Sequence, residues 1–225
     1  MNTNSNVYTI VYAIIIVVIV AVLLAVANQV LRPAQQANEE LDRQKQILVA
    51  LNQEIGSNPA ALYRSLVTDT IMVNDMPVYI ATVNGETKHV LLLKGAGLWG
   101  PIGGYLALND DLNTIFGINF NHESETPGLG GEIVTAKFRE PFAGKHIRNA
   151  QGEIVSVAVL KKGNQADGQE QVDALSGATI TSTGVSDMLK TNLMQYESYL
   201  KQPLEEVQHE DTVEETAIVE PSNVE

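Results

Sequence analysis

Cysteine is absent from the 225 residues of this sequence, and its absence excludes several kinds of site. A chain without thiols cannot build a disulfide framework, a thiolate zinc or iron–sulfur centre, or a covalent c-type haem. Any redox chemistry in this protein therefore requires a different cofactor.

Basic residues are also scarce. The sequence has 14 Lys and Arg against 27 Asp and Glu, which gives a formal net charge of −13. A chain of this sign with no basic stripe is repelled by nucleic acid phosphates, so nucleic acid is excluded as a partner. Residues 203–225 contain acidic residues, no Lys or Arg and few large apolar side chains. We expect this acidic tail to be disordered.

Charge is missing altogether from residues 7–31, and residues 13–27 consist only of Ala, Val, Ile and Leu. At about 1.5 Å per residue, a helix of this length exceeds the roughly 30 Å hydrocarbon core of a bilayer. A cleaved signal peptide would have a basic start and a shorter apolar run, whereas residues 1–6 carry no Lys or Arg. We therefore predict an N-terminal tail at 1–6 and a retained transmembrane helix at 7–31.

The charges that flank this segment are a weak guide to its orientation. Arg32, Arg43 and Lys45 follow it and nothing basic precedes it, which by itself favours a cytoplasmic C-terminal side. Long domains, however, cross membranes largely regardless of flanking charge.

A helical stalk is predicted at 32–70. Apolar residues recur on one face of residues 34–55, the pattern of an amphipathic helix: Leu41, Leu48, Leu51 and Ile55. Gly56 is expected to end this helix. A second, short helix is predicted to begin at Pro59 after a cap at Ser57 or Asn58.

The remainder, 71–202, is predicted to form one domain. Asn84-Gly85 separates two strand-like runs, 78–83 and 87–93, and this dipeptide favours a type I′ hairpin turn. Further elements are expected in order along the chain: a strand pair at 105–108 and 114–120, a strand at 154–160 and a helix at 183–200. Antiparallel strand pairs flanked by helices define an α+β domain.

Three glycine-rich stretches interrupt these elements, at 95–101, 122–131 and 173–179. Small residues let a backbone approach a ligand closely, and the free N–H groups at a helix start favour an anion. The third stretch lies just before the predicted helix, so we expect a phosphate near Ser176 to Thr181. The pattern is not a Walker loop, because the Gly-Lys-Ser/Thr ending is missing.

Other side chains in these stretches allow two interpretations each. Trp99, the only tryptophan, either stacks on a flat ligand or plugs the underside of a loop. His122 lies near Glu123 and Glu125 but lacks a further clustered ligand, so no metal site is predicted. Ser176 is not in a Gly-x-Ser-x-Gly elbow, and no catalytic acid, base or nucleophile is assigned.

Residues 1–202 resemble the C subunits of the sodium-translocating NADH:quinone oxidoreductases. The most specific match is Asp173-x-x-Ser176-Gly177-Ala178-Thr179. In that family a flavin transferase esterifies the threonine that closes this motif to the phosphate of FMN, which implies Thr179 as the attachment site. The resemblance implies that Asp173, Ser176, Gly177 and Ala178 contribute to the same site.

Two further stretches match the family. They are Glu125-Thr126-Pro127-Gly128-Leu129-Gly130, the second signature, and Gly97-Leu98-Trp99, a loop near the flavin. On this basis Leu98, Trp99, Glu125, Thr126 and Leu129 are predicted to belong to the FMN site. Lys161, at the end of its predicted strand, is a candidate partner for the phosphate, and Lys162 is the alternative.

The resemblance implies an electron-relay subunit in a complex that passes electrons from NADH to a quinone and pumps sodium. Its expected partners are the lipid bilayer through residues 7–31, other membrane subunits, and a flavin transferase. It also implies a single-pass protein of the bacterial inner membrane with a periplasmic domain, although the flanking charges alone favour the opposite orientation. Two alternatives stay open: the G subunit of the related Rnf ferredoxin:NAD complex, and a structural or assembly subunit without flavin. The Leu98-Trp99 loop and the run 105–108 favour the quinone reductase over Rnf.

Overall fold

A computed structural model describes residues 6–166 and 168–201, so the predicted acidic tail at 203–225 and residues 1–5 lie outside the described residues. The chain begins with one continuous helix, α1 (Asn6–Ala50), of 45 residues with Pro33 inside it. Pro33 cannot donate a backbone hydrogen bond, but the helix continues through it. Of the helices that the structure describes, α1 alone is long and apolar enough to cross a bilayer.

The end of α1 differs from the prediction. Asn52 has a φ of 55°, and the Gln53 N–H donates to the Leu48 carbonyl at 2.9 Å. This is a Schellman ending, for which asparagine is the usual substitute for glycine. The predicted helix to Ile55 with Gly56 as its end is therefore wrong, because the helix already stops at Ala50.

The last turns of α1 are seated on the domain. Ile47, Leu48, Ala50 and Leu51 have no exposed surface. The Asn52 side chain also donates to the carbonyl of Phe116 at 2.8 Å. The helix and the domain therefore form one packed unit at this end.

The short helix α2 (Pro59–Leu66) begins where predicted, and Asn58 rather than Ser57 caps it by accepting from the N–H of Ala61 at 3.1 Å. Five strands follow and form one antiparallel sheet in chain order: β1 (Val67–Val73), β2 (Met76–Val83), β3 (Glu86–Ala96), β4 (Pro101–Asn109) and β5 (Ile115–His122). Both predicted strand pairs are confirmed, although the strands are longer than expected. Strand β1, which crosses the predicted boundary between the stalk and the domain at residue 70, was not predicted.

The predicted hairpin turn is confirmed. Asn84 and Gly85 have φ values of 53° and 82°, so both adopt the left-handed conformation that a type I′ turn requires. Asn74 and Asp75, between β1 and β2, have φ values of 49° and 62° and form a second turn with left-handed residues.

The C-terminal elements were predicted less well. Two short strands, β6 (Val157–Leu160) and β7 (Glu170–Asp173), pair in parallel. The predicted strand at 154–160 starts three residues too early, because Ser156 has a φ of 74° that is incompatible with an extended strand. The parallel pairing itself was missed.

The final helices are α4 (Thr179–Gln195) and α5 (Glu197–Leu200), after a short α3 (Ala136–Arg139) in the connection from β5 to β6. The predicted start of the long helix at Thr183 is wrong, since the helix begins four residues earlier. Its buried residues pack on the face of the sheet opposite α1. The sheet between helices confirms the α+β class.

Two glycines bring α4 close to the end of β3. A Cβ on Gly95 would lie 2.6 Å from Cβ of Met188, and a Cβ on Gly184 would collide with the carbonyl oxygen of Ala96. The start of α4 is thereby held beside the loop that joins β3 to β4.

Candidate functional site

The three glycine-rich stretches meet at the carboxylate of Glu125. Oε1 of Glu125 accepts the backbone N–H of Trp99 at 2.9 Å, and Oε2 accepts the hydroxyl of Thr181 at 2.6 Å. Trp99 lies in the loop between β3 and β4, Glu125 follows β5, and Thr181 lies in the first turn of α4. One side chain therefore joins the first two stretches to the first turn of α4, which begins at the end of the third stretch.

Glycines on both sides make room for this carboxylate. A Cβ on Gly97 would collide with Oε1 of Glu125, and one on Gly130 would collide with Oε2. Only glycine fits at these two positions while the carboxylate keeps its place.

Glu125 is buried, with 4% of its surface exposed, and it is still held as an anion. Burial raises the pKa of the Glu125 carboxyl. The hydrogen bonds from Thr181 and from the N–H groups of Trp99 and Leu98 outweigh that effect, and the pKa lies below its usual value. The sequence predicted Glu125 as a flavin contact, but the structure turns both of its oxygens to protein partners.

The start of α4 has no side-chain cap. Its N-cap residue is Ala178, which has no side-chain oxygen to accept the first backbone N–H groups. These N–H groups are available to an anion, and the helix dipole favours one there. The helix start lies at the predicted phosphate position.

The structure describes every hydroxyl of segment 176–183. Some of these side chains form hydrogen bonds with the protein, and others form none with the described residues. Thr181 donates to Glu125 and is buried, Ser182 Oγ accepts the N–H of Leu175 at 3.1 Å, and Thr183 donates to the Thr179 carbonyl at 3.0 Å. Thr179 and Ser176 are exposed, and neither side chain forms a hydrogen bond with the described residues. Thr179 is the first residue of α4.

Apolar side chains are exposed around this helix start. Trp99 is 66% exposed, and Leu98, Leu129 and Ile180 are also exposed. Gly177, with a φ of 75°, lies against Leu129, since a Cβ there would be 2.9 Å from Cδ2 of Leu129. Trp99 is therefore not a buried plug. An uncapped helix start beside exposed apolar side chains fits a ligand with a phosphate and a flat ring.

Ser176, which is exposed, lines a groove. This groove of about 860 Å³ is lined by Asp173, Ser176 and Lys162 together with Lys137 and Lys145. Lys161, directly after β6, is exposed and does not line the groove. Of the two lysines predicted from the sequence, Lys162 is therefore the one that lines this groove with Asp173 and Ser176.

The second stretch is a compact turn. The Thr126 carbonyl accepts the N–H groups of Leu129 at 3.1 Å and Gly131 at 3.0 Å, while the Thr126 residue is exposed. The N–H of Glu125 donates to Nδ1 of His122 at 3.3 Å. Over residues 6–166 and 168–201, no three His, Asp or Glu side chains are grouped as metal ligands.

Two contributors were missed from the sequence. Thr181 ties α4 to Glu125, and Ile180 adds to the exposed apolar rim. A helix start at Thr179 instead of Thr183 would have placed Ile180 and Thr181 on the first turn, although the partner of Thr181 lies too far away in sequence to be predicted.

Comparison with known proteins agrees with this geometry. Residues 97–193, which include the second and third stretches and most of the first, match the family of the FMN-binding domain. Fold and site together define a flavin-binding domain that follows a long apolar helix.

Curated relatives of this chain share one protein name. Over 116 residues the chain is 40% identical to the C subunit of the Na(+)-translocating NADH-quinone reductase of Pseudomonas aeruginosa, and over 107 residues it is 42% identical to that of Haemophilus ducreyi. These matches span 50% and 47% of this chain, and 44% and 41% of the relatives. The chain therefore spans less than half of the length of these curated relatives.

Solved structures extend the match. The crystal structure of the C subunit from Parabacteroides distasonis has a TM-score of 0.73 and 38% identity, and the alignment covers 77% of this chain and 98% of that one. The NqrC structure of Shewanella oneidensis, at 21% identity and a TM-score of 0.63, shows the same fold over 73% of this chain and 99% of that one. The chain belongs to the NqrC family, the C subunits of the Na(+)-translocating NADH-quinone reductases.

Proposed function

We propose that this protein is the membrane-anchored subunit that carries FMN in a sodium-pumping NADH:quinone oxidoreductase and relays electrons within it. The observation that carries this proposal is the convergence of the three family stretches at the uncapped start of α4, where Thr179 is exposed. No catalytic acid or base is needed, because electron relay is the chemistry of the cofactor. Bound FMN supplies electron transfer, and the protein supplies attachment, position and electrostatics.

Thr179 is the proposed point of attachment to the FMN phosphate. Its hydroxyl is free and exposed, whereas those of Thr181 and Ser182 are buried and engaged. An ester at Thr179 would keep the phosphate beside the free N–H groups of the helix start. Ser176, Gly177, Ala178 and Asp173 form the approach to this position.

A cation is expected to compensate the remaining negative charge of the phosphodiester. Lys161 was the first candidate from sequence, but Lys162 shares a groove with Ser176. We therefore propose Lys162 as the stronger candidate and keep Lys161 as the comparison in mutagenesis.

The flat ring of the cofactor is proposed to contact the exposed side chains of Leu98, Trp99, Thr126 and Leu129. Exposed aromatic and aliphatic surface beside an anion site is suited to a partly apolar ring. Covalent attachment also prevents the loss of FMN by dilution.

Helix α1 is the proposed anchor. Residues 7–31 would lie in the bilayer, and the first fully buried residue, Ile47, follows Leu31 by sixteen positions, which corresponds to a rise of about 24 Å. The domain is therefore held above the bilayer by an extended helix. We place it on the periplasmic side of a bacterial inner membrane, with other membrane subunits as partners and a flavin transferase for maturation.

A denaturing gel of the chain from its native host tests attachment, because covalent FMN gives a fluorescent band. Thr179→Val keeps the shape of the side chain and removes the hydroxyl, so the band should disappear. Thr183→Val, one turn further along α4, is the matched control and should keep it. A fluorescent band in Thr179→Val would refute the attachment site.

Identification of the subunits in the purified native complex tests the assignment to the quinone reductase. The curated relatives carry that name, which is why an Rnf subunit is not proposed. A ferredoxin-oxidising assembly would overturn the choice, and a native chain without any flavin would identify a structural subunit instead.

A further inference from the structure

Glu125 differs from the other acidic residues of its turn. Glu123 is exposed and Glu132 is half-buried, whereas Glu125 is buried and makes hydrogen bonds with both oxygens. We propose that Glu125 is a positioning residue that fixes the Trp99 loop and the Thr179 helix start as one unit. Its importance for FMN rests on the proposed function.

The two oxygens of Glu125 serve different elements. Oε1 accepts the N–H of Trp99 at 2.9 Å. Oε2 accepts the hydroxyl of Thr181, two positions after Thr179. The loop that carries the proposed ring contacts is thus tied to the helix turn that carries the proposed attachment site.

Glu125 acts through these partners and not by touching a ligand. Gly97 and Gly130 close around its oxygens so tightly that neither could carry a Cβ. A carboxylate that is enclosed in this way, with each oxygen already accepting from a protein donor, is held in place by the protein itself.

The tie to Thr181 also explains how the start of α4 is ordered. Most helices begin with a side-chain cap, which would occupy the first N–H groups. At Ala178 there is no cap, and the first turn is held through the Thr181 hydroxyl instead. This arrangement orders the turn and leaves its N–H groups free for a phosphate.

Trp99 provides a direct probe of this role, because it is the only tryptophan in the chain. The rotational freedom of the Trp99 loop can be measured by fluorescence anisotropy on the flavin-free full chain in detergent. Glu125→Ala removes the acceptor for the Trp99 N–H, so anisotropy should fall. Glu123→Gln removes a charge from the same turn without touching this carboxylate, and anisotropy should stay native.

Thr181→Val separates the hydrogen bond to the Trp99 loop from the hydrogen bond to helix α4. It leaves the bonds between Glu125 and the Trp99 loop intact, so Trp99 anisotropy should remain close to native. The first turn of α4 loses its anchor, and the rate of flavin attachment during co-expression with a flavin transferase should fall about tenfold or more, since small misplacements of a reacting group have large effects. Glu125→Ala should lower both readouts.

Native Trp99 anisotropy and native attachment in Glu125→Ala would overturn the proposal. Equal loss of attachment in Glu123→Gln would overturn it too, because the effect would then come from charge in the turn. Where Glu125→Ala lacks native near-ultraviolet dichroism, Glu125→Gln replaces it: its single amide oxygen can accept from Trp99 or from Thr181 but not from both in the native geometry, so at least one of the two readouts should fall. If the unmodified chain acquires no flavin at all, the proposed function fails, while the anisotropy comparison still decides whether Glu125 holds the loop.

Discussion

The side-chain amide of Asn192 pairs with the backbone of Lys94 as a neighbouring strand would. Its Nδ2 donates to the Lys94 carbonyl at 2.8 Å, and its Oδ1 accepts the Lys94 N–H at 3.2 Å. Strand β2 pairs with β3 only as far as Leu91, so the edge of β3 is open beyond it. The Tyr196 hydroxyl accepts the N–H of Leu92 at 3.2 Å, and its single proton lies within hydrogen-bond distance of the carbonyls of Pro77 at 3.0 Å and Leu92 at 3.3 Å. Side chains from the last turn of α4 and from Tyr196, which follows it, thus satisfy the open edge of β3.

Replacing Asn192 by Leu should destabilise the fold. The change keeps side-chain volume but leaves two backbone groups of Lys94 without partners, at roughly 1–3 kcal/mol for each group that stays dry. Urea unfolding followed by Trp99 fluorescence measures the loss. Thr191→Ala, exposed on the same helix, is the control and should change the free energy of unfolding little.

Glu125 should make stability depend on acid pH. A carboxyl whose pKa is lower in the folded chain stabilises the fold above the unfolded value of about 4.3, and that contribution is lost as the pH falls through the folded pKa. The gap in unfolding free energy between the native chain and Glu125→Gln should be widest near neutral pH and should narrow in acid. A gap that is the same at every pH would show that the charge of Glu125 does not stabilise the fold.

His89 should make the stability of the fold depend on pH in a higher range than Glu125 does, because burial lowers the pKa of its imidazole. The bond to Asp110 only partly opposes this effect. The unfolded chain then takes up a proton first, so stability should fall as the pH drops below the unfolded value of about 6.5. His89→Gln should flatten this slope in denaturation curves, even though it also loses the bond to the Tyr199 hydroxyl. An unchanged slope would exclude His89 as its source.

Gly184→Ala should reverse the usual effect of alanine in a helix. Alanine normally stabilises a helix interior by about 0.5–1 kcal/mol relative to glycine. At this position its Cβ would meet the Ala96 carbonyl, and overpacking of about 1–3 kcal/mol is expected to dominate. Thermal unfolding compares it with Gly56→Ala, where nothing lies near the added methyl group and no loss is expected. Equal melting temperatures for the two variants would contradict the close contact of α4 with β3.

Local chemistry was enough to predict some elements. The Asn84-Gly85 turn and the helix start at Pro59 depend on the conformations of the residues themselves, and both are confirmed. The end of α1 was misjudged because Asn52, not Gly56, adopts the left-handed conformation. Strand β1 was missed since its alternation is weak, with most of its residues partly or fully exposed.

Long-range contacts decide the elements near the site. Thr179-Ile180-Thr181-Ser182-Thr183 consists of residues with modest helix propensity, which is why the helix was predicted to start only at Thr183. The bond between Thr181 and Glu125 joins positions 56 residues apart and overrides that propensity. The hydrophobic periodicity of a short sequence segment cannot reveal a contact over such a distance along the chain. The family resemblance brought these stretches together, and the structure supplied the side chain that joins them.

The unbroken course of α1 limits how the domain can move. The helix runs from its apolar segment to Ala50 and ends packed against the sheet, so with residues 7–31 in a bilayer, as proposed, axial rotation of that segment would turn the whole domain with it. Pro33 interrupts the backbone ladder just beyond the apolar segment, and bending is expected at that position. A neighbouring subunit that binds α1 before Pro33 would thereby set the direction in which the domain faces about the membrane normal. The tilt of the domain relative to the membrane could still change through bending at Pro33.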